Sequence, residues 1–599
     1  MPDASEPDGS LPRARFRAGL AGLVLLCGLL LLAGNATSSV LDRDEARFAL
    51  AVQEMREQGD FIVPTNYGEP RYQKPILAYW LALASAKVFG PGEFAWRFPS
   101  AVCGVLTVLM TVALARELFG ERVGLRAGAI LATSLIFVFE SKILTSDASL
   151  LASTTLSFWA WMRLRRGTPR TLLWRFLFWG GVGLGLLAKA VNWAFLLAAA
   201  CALALLRSPG TRRSRICLFA TLLLGGIAAS IPGLGFLGPV ALSGAVLAIS
   251  WRSLRSPQGS RAWAALSPAP GAALALALAA TWIVPALARS HGDFFFEGVG
   301  HHLFGRTATS FEGHRAPLGY YVLTIALTFF PWAALLPSAL RNAWRDPRFE
   351  FLLAWILGPW VLTELMTSKL QHYLLVAFPA LATLVAVEWE RRSREASPPP
   401  PWLGRLEALL FAGPCLLFVV AGALLLPLQR GEVSSLAVAL IALALSLSAA
   451  LLGSHSRKAH AALFRLSLGG ATALYLLVFG GLLPAIEPLR ISPQIGAAVT
   501  RVARPAEPVH LLGFHPASVG CYLPPGLPIV ADQRAVAHAI ATGKPGLFVV
   551  PNGDDDRRFD RIQELEPGVW DHLETVRGLP FPKLDEKELW IVRRGPGEQ

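Results

Sequence analysis

Apolar residues run along this chain in stretches long enough to cross a bilayer core as helices, separated by short polar segments. About fifteen such stretches can be marked. They centre near residues 26, 107, 132, 155, 180, 198, 223, 243, 279, 330, 358, 379, 415, 443 and 472. The pair within 216–250 is rich in glycine and proline and reads either as two spans or as a re-entrant hairpin. The pattern therefore predicts an all-α polytopic membrane domain with about 13 to 15 transmembrane helices. Beyond Pro484 the period changes. Short apolar runs at 509–512, 529–531, 547–550 and 589–592 alternate with helix-compatible stretches such as 533–541, which predicts a small α/β domain. The expected organisation is a tail over 1–17, a membrane domain over 18–484 and the α/β domain over 485–599.

Composition supports this division. With 53% hydrophobic and only 16% charged residues, the chain carries more apolar area than a soluble fold can bury. Its formal charge of +14, from 55 Lys+Arg against 41 Asp+Glu, would suit nucleic acid, but the placement of the charges does not. Basic residues gather between alternate spans, as at Arg116, Arg122 and Arg126, at Arg163, Arg165 and Arg166, and at Arg391, Arg392 and Arg394. That bias predicts cytoplasmic loops beside anionic headgroups and excludes nucleic acid as the partner. The N-terminus is then cytoplasmic, and an odd number of spans puts the α/β domain outside. The end of the first apolar run, Ala33-Gly34-Asn35-Ala36, is weakly signal-peptide-like, and an uncleaved anchor is the expected form. Five of the six cysteines lie in predicted spans and Cys521 has no outside partner, so neither a disulfide framework nor a metal set is assigned. The chain has no internal repeat of the kind that marks many transporters.

Candidate chemistry lies in the predicted outer segments, about 35–98 and about 290–318, and at the outer ends of spans. Asp44-Glu45-Ala46-Arg47 opens a stretch whose apolar period (Phe48, Ala51, Val52, Met55) predicts a helix along the interface. Asp44 reads there either as a favourable charge at a helix N-terminus or as a carboxylate able to take a proton. Arg47, one turn on, could pair with Asp44 or reach a phosphate. Tyr72-Gln73-Lys74-Pro75 brings a lysine before a helix start, placed either to snorkel or to hold a phosphate. Asp147 in Thr145-Ser146-Asp147 and Lys189 after Gly185-Leu186-Leu187-Ala188 sit at outer span ends. Gly300-His301-His302-Leu303-Phe304-Gly305-Arg306 adds His301 and Arg306, and a later span end adds Lys369 and Tyr373. Adjacent histidines rarely ligate one ion, so His301 and His302 do not imply a metal.

Several of these pieces occur together and in order. Asp44-Glu45-Ala46-Arg47-Phe48-Ala49, Gly59-Asp60-Phe61-Ile62-Val63-Pro64, Gln73-Lys74-Pro75, Tyr79-Trp80 and Phe94-Ala95-Trp96-Arg97-Phe98-Pro99-Ser100 resemble the first loop of bacterial aminoarabinose transferases, the ArnT-like family. More broadly they are similar to protein-mannosyltransferase-like glycosyltransferases of the GT-C fold. Thr145-Ser146-Asp147, the segment ending in Lys189, and Ser368-Lys369-Leu370-Gln371-His372-Tyr373-Leu374-Leu375 follow in that family's order. The resemblance covers roughly residues 35 to 390. It implies an inverting transferase in the bacterial inner membrane, acting on its periplasmic side. The donor would be a sugar on undecaprenyl phosphate, with 4-amino-4-deoxy-L-arabinose one candidate, and the acceptor lipid A, another envelope glycan or a protein. By the same resemblance Asp44 and Asp147 are the acidic pair, and Glu45, Arg47, Tyr72, Lys74, Lys189, His301, Arg306, Lys369 and Tyr373 surround the substrates. Three departures leave sugar and acceptor open: Gln73 stands where the family often has Glu, which removes support for a divalent metal there; Lys189-Ala190-Val191 replaces Lys-Gly-Pro; and 216–250 looks inserted. A lipid or solute transporter and an envelope-assembly scaffold are the competing classes. Transporters set ionisable groups near the bilayer midplane, whereas here they cluster at span ends.

Overall fold

The computed structural model describes residues 11–207, 264–294, 316–364, 366, 368–394, 400–426, 431–453, 460–552, 569–580 and 586–594. The 216–250 segment, His301 and Arg306 lie outside these residues.

Among the described residues, seven helices are long and apolar enough to cross a membrane: Arg13–Leu32, Glu93–Phe119, Thr171–Lys189, Pro268–Arg289, Gln371–Arg394, Pro401–Leu425 and Leu463–Leu489. Shorter apolar helices cover Leu77–Phe89, Asn192–Leu203 and Val433–Ala449. We number the first nine α-helices in order: α1 Arg13–Leu32, α2 Asp44–Gln58, α3 Leu77–Phe89, α4 Glu93–Phe119, α5 Glu121–Ala132, α6 Leu135–Glu140, α7 Asp147–Arg166, α8 Thr171–Lys189 and α9 Asn192–Arg207. Two of the predicted spans are less regular than their hydropathy implies. The apolar run near residue 132 breaks at Ser134, where the Leu135 amide leaves the helical ladder and donates to the Phe330 carbonyl at 3.2 Å. The span near residue 155 is α7, which carries serines and threonines through a buried face. They are tolerated because Ser149, Ser153 and Ser157 donate back to carbonyls of their own helix. Close packing follows: a side chain at Gly181 of α8 would meet Ser157 Oγ at 2.4 Å, so only glycine lets α7 and α8 approach this far.

The helical core is aromatic, with Phe158 stacked on Trp355 at 4.1 Å between ring centroids. A second, smaller core forms under α2, where Phe48, Val52, Met55, Tyr79 and Trp282 are all buried. After α2 the chain makes a two-stranded hairpin, β1 Thr65–Asn66 and β2 Glu69–Pro70. Its turn residues Tyr67 and Gly68 both take positive φ (55° and 78°), the geometry that fits a two-residue hairpin. Glu54 of α2 secures the turn by accepting the Tyr67 amide at 2.6 Å and the Gly68 amide at 3.2 Å.

The C-terminal region is a five-stranded sheet of order β4-β3-β5-β7-β6, with β3 Val509–Leu511, β4 Ile529–Val530, β5 Gly546–Asn552, β6 Trp570–Gly578 and β7 Lys587–Arg594. β3 runs parallel to β4 and β5, while β7 is antiparallel to β5 and β6. All four predicted apolar runs lie on strands, and the predicted helix is Gln533–Ala541. A short helix, Ala517–Tyr522, packs against α2 and ties this domain to the first loop.

Candidate functional site

The site is built on Glu45. The notable property of this carboxylate is how completely protein groups occupy it. Arg97 of α4 grips it side-on, Nε to Oε1 at 2.7 Å and Nη2 to Oε2 at 2.9 Å. The Leu41 and Leu144 amides add bonds at 2.7 and 3.0 Å. Arg97 spends its remaining donors on the carbonyls of Asn35, Ser38 and Ser39. Burial pushes the Glu45 carboxyl up, but Arg97 and the two amides outweigh it and hold it below the ordinary glutamate range. Glu45, expected as a substrate ligand, thus has both of its oxygens bonded to protein donors. It is a clasp that fixes the start of α2 against α4 and against the turn before α7.

That clasp decides where the two aspartates go. Asp44 is the first residue of α2, as the apolar period that follows it predicted. Its side chain is 44% exposed and its pairing with Arg47 is loose, at 3.8 Å. Partial burial raises its carboxyl, yet Lys74 first, then Arg71, Lys189 and His372, reverse this and hold it below the usual aspartate range. The Leu144 amide on Glu45 brings in the turn that ends at Asp147, the first residue of α7. Asp147 is buried and held: Lys189 Nζ, at the last residue of α8, donates to Oδ1 at 2.7 Å, and His372 Nε2 faces Oδ2 at 3.8 Å. The other imidazole nitrogen lies 3.2 Å from Glu140, which also accepts from Thr145 Oγ1. Lys189 Nζ stands 5.1 Å over the Tyr373 ring.

Of the predicted set, then, Asp44, Arg47, Lys74, Asp147, Lys189 and Tyr373 converge. Lys74 is buried, and its charge acts on both aspartates. Tyr72 packs against the smaller core under α2, its ring 6.0 Å from that of Phe294. Lys369 is bound elsewhere: its buried amine donates to the Ala316 and Met366 carbonyls and ties the loop before Gln371. Arg97, Glu140 and His372 were not assigned roles from the sequence. Arg97 and His372 lay inside quoted motifs, but only the fold reveals their partners. A separate small cavity, lined by Arg97, Lys142, Arg490, Phe139, Phe479 and Leu483 among others, contains none of the converging residues. Among the described residues no group of three or more His, Cys, Asp or Glu has metal-binding proximity.

Residues 73–235 match the family model described as dolichyl-phosphate-mannose-protein mannosyltransferase. Over 373 residues the chain is 30% identical to undecaprenyl phosphate-alpha-4-amino-4-deoxy-L-arabinose arabinosyl transferase 2 of Sodalis glossinidius, covering 61% of this chain and 58% of that protein. The corresponding transferase of Yersinia enterocolitica is 27% identical over 380 residues, covering 62% and 59%. The matched stretches are thus less than two thirds of either relative's length. A crystal structure of ArnT from Cupriavidus metallidurans bound to undecaprenyl phosphate shares the fold with a TM-score of 0.69, covering 97% of this chain and 98% of that one at 16% identity. The architecture is therefore a GT-C type multi-span membrane domain with a small C-terminal sheet domain, as the motif resemblance implied.

Proposed function

We propose that this chain is an inner-membrane glycosyltransferase that moves a sugar, with 4-amino-4-deoxy-L-arabinose the leading candidate, from undecaprenyl phosphate to lipid A. The observation that carries the reading is the pairing of two differently held carboxylates with several cations at one end of the helical bundle. The similarity to arabinosyl transferases over about 60% of the chain supports the donor class. In this reading the N-terminal tail (1–17) is cytoplasmic, the membrane domain covers 18–484, and the α/β domain (485–599) and the site are periplasmic. Ionisable groups collected at helix ends fit chemistry on a lipid headgroup better than transport through the midplane.

The reaction is a single inverting displacement. An acceptor oxygen forms a bond to the anomeric carbon, the bond from that carbon to the phosphate oxygen breaks, and the prenyl phosphate leaves with the electron pair. Lys74 and Lys189, with Arg47 and Arg306, meet the charge that grows on the leaving phosphate. Asp147, already held by Lys189 and His372, orients. Asp44, loosely paired and partly exposed, takes the proton when the acceptor is a hydroxyl. When the acceptor is a phosphate it needs no base, and Asp44 then aligns it. Tyr72 and Tyr373 are assigned to substrate binding, and His301 keeps the substrate-binding role that its motif implied. Membranes carrying Asp44→Asn, supplied with labelled lipid-linked sugar, test the assignment. Transfer should fall by about a hundredfold or more if a proton is taken, with insertion unchanged. Transfer at the normal rate would remove Asp44 from the mechanism. Mass spectrometry of lipid A from cells lacking the chain identifies the sugar and acceptor, and unaltered lipid A would redirect the search to other envelope acceptors.

A further inference from the structure

Arg71 stands outside the set that the motifs single out, yet it is the least explained charge near Asp44. The residue is only 4% exposed. Its guanidinium lies 4.8 Å over the Phe48 ring and 6.0 Å from the Tyr79 ring. Its Nη1 donates to the Tyr79 hydroxyl at 2.8 Å, and its backbone amide donates to the Pro64 carbonyl at 2.7 Å. The group is thus stacked, tethered and fixed in plane. Its remaining edge is different: Nε and Nη2 are buried and have no hydrogen-bond partner among the described residues. Leaving two charged donors unpaired in a buried position is costly, whereas Arg97 places each of its guanidinium nitrogens on an acceptor.

The unused pair is also chemically specific. Nε and Nη2 form the side of the guanidinium that presents two parallel N–H groups, spaced to meet two oxygens of one phosphate or carboxylate. Its location is specific as well. Phe48, the ring beneath Arg71, is one turn beyond Asp44 on α2, and Arg71 precedes Lys74 by three residues. Among the cations acting on the Asp44 carboxyl, Arg71 follows only Lys74. We infer that the Nε–Nη2 edge of Arg71 is an oxyanion subsite beside Asp44 that holds two oxygens of a substrate phosphate. A lysine attracts a phosphate from any direction, whereas this fork also fixes its orientation. The phosphate belongs either to the lipid-linked donor or to the acceptor. The inference rests on the transferase reading for its substrates but not for its test.

Binding to the full-length protein in detergent is the measurement, with farnesyl phosphate as the donor-phosphate probe and glucosamine 1-phosphate as the acceptor-phosphate probe. Arg71→Lys keeps the charge and loses the fork; Arg71→Gln loses both. Affinity for one of the two probes should fall about tenfold in Arg71→Lys and about a hundredfold in Arg71→Gln, and the probe affected identifies the source of the phosphate. Tyr79→Phe, which removes only the partner of Nη1, should change either affinity less than about threefold, the worth of a weak neutral hydrogen bond. Arg71→Lys binding both probes as tightly as the unaltered protein would overturn the inference. If the Arg71 variants do not fold, structures of the unaltered protein with each probe decide. A phosphate within about 3.2 Å of both Nε and Nη2 in either supports the subsite, and its absence from that edge in both overturns it. Loss of transfer in Asp44→Asn together with unchanged probe binding in Arg71→Lys would sink this inference alone. Arg71-dependent binding in a protein that transfers no sugar would sink the transferase reading alone.

Discussion

Asp44 and Asp147 carry the same functional group, but their neighbours give them different chemistry. Asp147 is bonded to Lys189 at 2.7 Å and faced by His372, so it is committed before any substrate arrives. Asp44 pairs with Arg47 at 3.8 Å, while the charges of Lys74 and Arg71 hold its carboxyl below the ordinary aspartate range. A carboxylate so depressed is a weak base. A donor phosphate would cancel part of that positive charge and raise its proton affinity where the acceptor needs it. The sign is definite: the acid limb of kcat/KM, which reports the free enzyme, should lie below about pH 4, the ordinary aspartate value, and the limb of kcat should lie above it. Initial rates of transfer between pH 3.5 and 8 test this, and a kcat/KM limb above about pH 5 would remove Asp44 as the controlling group. The two aspartates, Lys74 and Lys189 were legible from sequence because each is a charge at the end of an apolar run. The partners of Glu45 were not legible, because adjacent helical residues look equivalent in a motif yet point about 100° apart on the helix. Glu140 and His372 are far apart in the chain, and only the packing of α6 against the Gln371–Ala377 segment makes them a pair.

At the scale of elements, the presentation of Lys189 depends on how α8 stops. Its C-cap, Ala190, adopts φ 55°, the left-handed region, with its amide bonded to the Leu186 carbonyl at 3.1 Å. A side chain there is strained by about 1 to 2 kcal/mol, and glycine relieves it while giving back part of the gain as unfolded-chain entropy. Ala190→Gly should therefore stabilise the protein by about 0.5 to 1 kcal/mol, read as a raised unfolding midpoint in detergent, with transfer retained. A lowered midpoint would mean that the left-handed cap is not what ends α8. The same reasoning shows which elements could be read in advance. α2 was visible through its apolar period, and four strands of the C-terminal sheet through their apolar cores. β6 was not, because this edge strand, Trp570–Gly578, alternates mostly exposed positions and buries only Val576 and Gly578 deeply. The break between α5 and α6 was equally hidden, since its cause is a carbonyl at Phe330, on a different part of the chain.

At the scale of the molecule, the C-terminal domain is wired to the same loop that carries the acidic residues. The Tyr522 hydroxyl accepts the Val40 amide at 2.8 Å and donates to Glu93 at 2.9 Å. The Tyr67 hydroxyl donates to the Pro516 carbonyl at 2.6 Å and accepts the Gly520 amide at 3.0 Å. Arg490 reaches the Ser39 and Val40 carbonyls, and Ser39 is also held by Arg97, which grips Glu45. A continuous chain of contacts thus runs from the sheet domain through residues 39–40 to the start of α2. Sequence patterning could separate the two domains but not reveal this link, because tyrosine hydroxyls and backbone amides leave no periodic signal. The coupling is measurable. Tyr522→Phe and Tyr67→Phe each leave partly buried backbone groups without their partner, a loss of about 1 to 3 kcal/mol apiece. Both tether the Ala517–Tyr522 helix, so the double variant should lose less than the sum of the singles, with a coupling of about 0.5 to 1 kcal/mol. Amide exchange in the double variant should quicken over 44–58 and stay unchanged within α4, because local opening follows the loss of local contacts. Additive losses with protected amides across α2 would mean that the sheet domain docks without steadying Asp44. The predicted pattern would instead make it a buttress that keeps the carboxylate in register with Lys74 and Asp147.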